Sequence, residues 1–423
     1  MAGLSYDQGP ALAAPMRLFL LAPLFLILAG VAGLALAPDW LSGRWSPASL
    51  ALTHLVTLGY LGAVMQGALL QMLPVVLGAP VPRAGLLSWC GLFGLGTGTP
   101  MLALGLLTGE PAWLLAALPA LALAWLPFLA GLAVALARAL AGGEMDQPLR
   151  LAGLALLVTV LTGLALAGTL AGAWNAPGLL ALIDLHVGWG LYGWILVLVV
   201  GVAYQVVPML QLTSAYPRWA TRALAWLLPA GLIAYSLAVP FAALVWLVPV
   251  LAGGASLLFV AVTLDLQRRR RRRLADPTLA FWRFGLVALA LATLLHAGLG
   301  TLPDSLRTPA ELSLGLLFLL GFAASVVNGM LYKIVPFLAW FHLQGQTGAR
   351  AGTIPNMREM IAEAAMRRHY GLHLAAVCLL APAPFLPAWA ASPGLLLLAF
   401  GGQVQWRNLR AVQAVFLAHG GRM

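Results

Sequence analysis

The sequence predicts an all-α polytopic membrane protein of about twelve transmembrane helices in three pseudo-symmetric groups of four. Three observations predict it. Of the 423 residues, 62% are hydrophobic and 8% are charged, which leaves no material for a large soluble domain. Apolar stretches of membrane length follow one another along the whole chain. A skeleton of glycine and proline also returns at near-equal separations. Gly59, Gly67, Gln71 and Pro74 are matched by Gly193, Gly201, Gln205 and Pro208, 134 residues later, and again by Gly321, Gly329, Lys333 and Pro336 after 128 more.

A span needs roughly 20 apolar residues. The stretches that qualify are 15–37, 48–77, 84–108, 112–140, 149–173, 178–210, 219–238, 240–266, 279–302, 310–341, 370–389 and 392–412. They form one transmembrane domain over 1–423, with internal repeats at approximately 15–140, 149–266 and 279–412. Spans two, six and ten are the long ones and carry the skeleton. Glycines eight apart lie on nearly one helix face and let neighbouring backbones approach. Spans two, six and ten are therefore expected to make a close-packed inner ring, each bent by its proline near the inner end.

Span one starts after Arg17 and is long enough to remain as an anchor rather than be cleaved. Spans three to five and seven to eight are leucine- and alanine-rich packing helices. The run Arg268–Arg273 reads as a stop signal at the inner surface that attracts anionic lipid. Asn356–Arg368 has Met357, Met360, Ile361 and Ala364 on one side and charges on the other, the pattern of an amphipathic helix lying on that surface. Cys90 and Cys378 both fall inside spans as small buried residues, not as a disulfide.

Arginine placement sets the orientation. With the N-terminus inside, the inner loops hold Arg83, Arg138, Arg150, Arg218, Arg222, Arg268–Arg273, Arg350, Arg358, Arg367 and Arg368, and the outer loops hold only Arg44 and Arg307. Both termini are thus expected in the cytoplasm. The net charge of +11 is an orientation signal scattered over membrane loops, which excludes a nucleic-acid-binding reading. Lys333 is the single lysine among 23 basic residues, a bias of GC-rich bacterial genomes, so the expected location is a bacterial inner membrane.

Three histidines lie at similar depth. His54 and His186 stand a few residues into inward-running helices, and His296 stands near the outer end of span nine. A neutral imidazole in an apolar bundle is what an axial haem ligand requires, and it also suits copper. The competing reading is a histidine hydrogen-bonded to a carbonyl within the bundle. His54 precedes its repeat proline by 20 residues and His186 by 22, so the two point about 200° apart around their helices. His54 and His186 are nevertheless expected to face one outer cavity, bordered by His296 and narrowing inward toward Tyr204, Asn328 and Tyr332. Gln71, Gln205, Tyr204, Asn328, Tyr332 and Lys333 outline a polar path along spans two, six and ten, with Lys333 also placed to snorkel inward. Gly321, Ser325, Asn328 and Tyr332 share one helix face. His369 and His373, four apart beside Arg367 and Arg368, are read as a headgroup-facing pair or a metal site.

The twelve spans, with His54 opening the second, resemble subunit I of the haem–copper oxidases. The stretch HLVTLGYLGAVMQGALLQMLPVV is also similar to the second helix of short, divergent relatives that include NnrS-type membrane proteins. The resemblance implies that His54 is an axial ligand of a low-spin haem of b type and that His186 is the copper-ligand match. It does not extend to the oxygen-reducing centre. Span seven has no histidine pair, span ten has only His342 at its inner end, and Thr53 stands where a further histidine is expected.

The resulting expectation is a haem- or copper-binding inner-membrane protein linked to respiratory or nitric-oxide metabolism. Its partners would be the lipid bilayer and a redox partner or small gaseous ligand, with no nucleic acid. The alternatives are a transporter or permease using the polar path, and an assembly scaffold without a cofactor. The topology makes the first testable prediction. Reporter fusions after residues 45, 110, 175 and 305 should all report the outside, and an inside signal at two of them would exclude the threefold arrangement.

Overall fold

The computed structural model describes residues 9–139, 143–271, 276–347, 354–357 and 359–423. Arg272, Arg273, Arg350 and Arg358 of the expected inner-side set lie outside the described residues. The described residues contain helices and no strand. Among the described residues, ten helices are long and apolar enough to cross a membrane: α1 Ala13–Ala35, α2 Pro47–Leu77, α3 Ala84–Thr108, α4 Pro111–Arg138, α5 Asp146–Leu170, α6 Leu179–Gln211, α7 Arg218–Ala238, α8 Ala242–Arg268, α9 Pro277–Thr301 and α10 Asp304–Gln346. Helices α11 Glu363–Leu380 and α12 Ser392–Ala418 complete the bundle. This is the build of a polytopic helical membrane protein, with large apolar side chains such as Leu180, Trp226 and Trp389 on its outer surface.

Local chemistry sets the ends. Ser46 caps α2 by accepting from the Ser49 amide at 3.1 Å, with Pro47 at the first helical position. Asp276 does the same for α9 through the Thr278 amide at 2.9 Å, ahead of Pro277. Gly78 and Gly109 stop α2 and α3 with φ of 60° and 71°, a backbone region that favours glycine.

Three expectations are corrected near the C-terminus. The amphipathic helix over Asn356–Arg368 does not form as one element. Pro355 precedes it, the Asn356 amide and side chain donate to the Glu359 carboxylate at 3.0 and 2.7 Å, and Ala362 is extended. Residues 363–368 instead open α11. That helix starts seven residues before the expected position 370 and ends at Leu380 rather than 389, because Pro382, Pro384 and Pro387 break the chain into short turns. On the same helix, Cys378 is exposed on the outer surface rather than buried.

The three long helices share more than a sequence skeleton. Each passes through an eight-residue π-helical stretch before its inner α-helical half: Leu55–Gly62, Trp189–Leu196 and Leu317–Ala324. Gly59, Gly193 and Gly321 are the fifth residue of each stretch. π-helical turns are rare and gather at functional sites.

The glycines work differently from the expectation. They do not face one another in the inner ring; each faces the helix that precedes its own. A Cβ at Gly59 would lie 2.3 Å from the Phe25 ring on α1, one at Gly193 would lie 2.7 Å from the Ala155 Cβ on α5, and one at Gly321 would lie 2.8 Å from the Ala288 Cβ on α9. The inner glycines repeat the pattern: Gly67 meets Phe19 at 2.9 Å, Gly201 meets Pro148 at 3.1 Å, and Gly329 meets the Thr278 carbonyl oxygen at 2.8 Å. Between α2, α6 and α10 lies an apolar axis. Its lining includes Val64, Leu198 and Val326; Met65, Val199 and Val327; and Ala68, Val202 and Met330. Each triplet occupies equivalent positions, 134 and then 128 residues apart. Helix α1 lies along α12, where Gly402 leaves room for the Pro23 carbonyl oxygen, so the last helix closes against the first.

The glycine contacts are testable. Gly59→Ala should destabilise the protein by about 1–3 kcal/mol through overpacking. Phe25→Ala should remove most of that penalty in the double variant, measured by thermal unfolding in detergent, whereas additive losses would mean that the two residues do not touch.

Candidate functional site: an imidazole pair and two polar clusters

His54 is the last residue of α2 before its π-helical stretch, and His186 lies three residues before that of α6. The outer half of α2 packs on α1 and α3, and the outer half of α6 packs on α5 and α7. The two imidazoles meet across the space between these sets. Their ring centroids are 6.3 Å apart, with planes 17° from parallel. The two-residue offset in the repeat explains the meeting. Side chains about 200° apart around two pseudo-symmetric helices can approach from opposite flanks.

Each ring is held by its Nδ1. The His54 Nδ1–H donates to the Leu50 carbonyl at 2.7 Å, and the His186 Nδ1–H donates to the Thr159 carbonyl at 3.0 Å, with the Thr162 hydroxyl 3.2 Å away. A carbonyl can only accept, so both rings are the Nδ1–H tautomer and both Nε2 lone pairs are free. Among the described residues neither Nε2 has a hydrogen-bond partner. Gly163 lets the His186 ring lie on α5; a Cβ there would be 2.9 Å from its Cε1. Nδ1 held by a carbonyl with Nε2 open is the arrangement of metal-bound histidine.

His296 does not join them. It is exposed on α9, and no group of three potential ligands forms among the described residues. The expected three-histidine set is thus a pair, because the outer end of α9 does not lean into the space between α2 and α6.

The six residues of the expected polar path fall into separate surroundings. Asn328 and Tyr332 each join a polar cluster described below. Lys333 pairs with Asp276 at 2.8 Å, tying α10 to the start of α9. Burial pushes the Asp276 carboxyl up, but the hydrogen bond and charge of Lys333, with Thr278, hold it below the ordinary carboxylate range. Tyr204 packs edge-on against Tyr216 at 5.1 Å. Gln71 is buried with its Oε1 unpartnered, and Gln205 is half-buried. None of the six lines the axis. Tyr204 and Tyr332 do not converge below the histidines, because they occupy equivalent positions and turn outward toward different neighbours.

His369 and His373 do not face headgroups. They are 1% and 3% exposed, since α11 starts earlier than expected and carries them into the bundle. His373 bonds Ser325 through Nε2 at 2.8 Å and Asn328 through Nδ1 at 3.4 Å, and Tyr332 bonds the His369 Nδ1 at 2.8 Å. These two clusters extend to residues that the sequence did not single out. The Tyr60 hydroxyl on α2 donates to the Asn328 Oδ1 at 2.6 Å, and the Gln405 Nε2 on α12 donates to the same oxygen at 2.7 Å. The Asn408 Nδ2 donates to the Tyr332 hydroxyl at 2.9 Å. The available signal was the three-residue spacing of Gln405 and Asn408, which puts two amides on one face of an apolar helix. Both His373 nitrogens are occupied, so the pair cannot chelate a metal as it stands.

No protein-family model and no curated protein matches this chain.

Asn328, on α10, ties that helix to α2, α11 and α12. Asn328→Leu should destabilise the protein by roughly 1–3 kcal/mol for each buried partner left unsatisfied, chiefly Tyr60 and Gln405. Thermal unfolding of the single variant and of Asn328→Leu with Tyr60→Phe checks this; the second change should restore part of the loss.

Proposed function

We propose that this chain is a haem- or copper-binding membrane protein on a scaffold like subunit I of the haem–copper oxidases, with twelve spans in three groups of four. The observation that carries the reading is the imidazole pair of His54 and His186, with Nδ1 atoms bound to carbonyls and Nε2 lone pairs open. The shared register of the π-helical stretches and glycines supports the threefold grouping. The arginine asymmetry supports cytoplasmic termini in a bacterial inner membrane.

His54 and His186 would hold the metal, and the Leu50 and Thr159 carbonyls would fix the tautomer and raise the basicity of each ring. Bound there, haem of b type or copper supplies one-electron chemistry, which suits respiratory or nitric-oxide metabolism and an NnrS-like role. The histidines of a full oxygen-reducing centre are missing from α7 and α10, so terminal oxidase activity is not part of the proposal. The transporter alternative draws no support from the axis between α2, α6 and α10, which is lined by apolar side chains.

Purified protein should carry a Soret band or stoichiometric copper. His54→Ala and His186→Ala should each abolish or shift that signal, and His296→Ala should leave it unchanged. A folded, colourless and metal-free preparation would reject the proposal.

A further inference from the structure

The axis between α2, α6 and α10 holds a cavity of about 60 Å³. By volume it has room for more than one water, since one water needs roughly 10–15 Å³. By chemistry it does not suit water, which requires two to four polar partners. The three inner helices supply aliphatic and thioether side chains there, and Phe19 and Trp282 close the sides. The polar side chains of these helices point elsewhere: Gln66 donates to the Ala124 carbonyl at 2.9 Å, Asn328 joins α11 and α12, and Tyr204 meets Tyr216. A phospholipid chain is too large for this volume, and an engineered apolar cavity of about 150 Å³ is the size that takes benzene or xenon.

We infer that this axial cavity is a binding site for a small apolar gas, a diatomic molecule or an atom up to the size of xenon. The repeat explains why the space exists. At one level the three equivalent positions are Ala68, Val202 and Met330, so α2 contributes the smallest side chain where α10 contributes the largest. Filling the alanine position with the residue that α10 already carries should close the cavity. The inference does not rest on metal binding by His54 and His186, which lie nearer the outer ends of their helices.

Xenon is the probe. Crystals of the full chain under xenon pressure should show one anomalous peak on the axis beside Ala68, with no ordered water in its place. Ala68→Met should lose that peak while keeping its helical content and an unfolding temperature at or above that of wild type. Val202→Met makes the same change from α6 and serves if the first variant folds poorly. Ordered water or a detergent chain on the axis of the wild-type protein would overturn the inference. So would the absence of axial xenon, or a peak that persists in a folded variant. Cofactor content is read separately by absorption, so loss of one claim leaves the other standing.

Discussion

The approach of α1, α5 and α9 onto the glycines of α2, α6 and α10 governs the rest of the bundle. At six positions a Cβ would collide with the preceding helix, at distances from 2.3 to 3.1 Å. Without side chains on that face, each long helix is held against its partner by backbone proximity and van der Waals packing, the main attraction open to helices in lipid. The remaining faces are then committed. One face of each inner helix meets the apolar axis, and others reach into the spaces between neighbouring helices. Polar side chains are confined to those spaces.

Within them, two solutions to the same problem stand side by side. Around Asn328, the side chains of Tyr60, Ser325, His373 and Gln405 exchange hydrogen bonds, and Tyr332, His369 and Asn408 form a second cluster beside them. Such clusters fix the relative positions of four helices. The imidazoles of His54 and His186 each bond a carbonyl through Nδ1 and leave Nε2 open. The π-helical stretches lie beside both arrangements. His54 directly precedes one, and Ser325 directly follows another, bonding back to the Leu320 carbonyl at 3.4 Å.

The helical class, the long inner helices and their register were legible in the sequence because glycine and proline report on backbone, and backbone geometry repeats faithfully. The direction in which the glycines face was not, since an eight-residue spacing defines a stripe but not its neighbour. His54 and His186 were identified from their depth, and their two-residue offset already contained the condition for meeting. His369 and His373 were misplaced because Arg367 and Arg368 suggested a surface. The prolines at 382, 384 and 387 were the better guide to where α11 sits. Tyr60, Gln405 and Asn408 acquire significance only when α2 and α12 are brought beside α10, which no local pattern announces.

The central question is whether His54 and His186 share a ligand. A crystal structure of protein purified from its native membrane, with anomalous data at the iron and copper edges, decides it. The predicted result is a metal peak between the two imidazoles within bonding distance of both Nε2 atoms. Two imidazoles with no density between them, or a metal held by other residues, would contradict it.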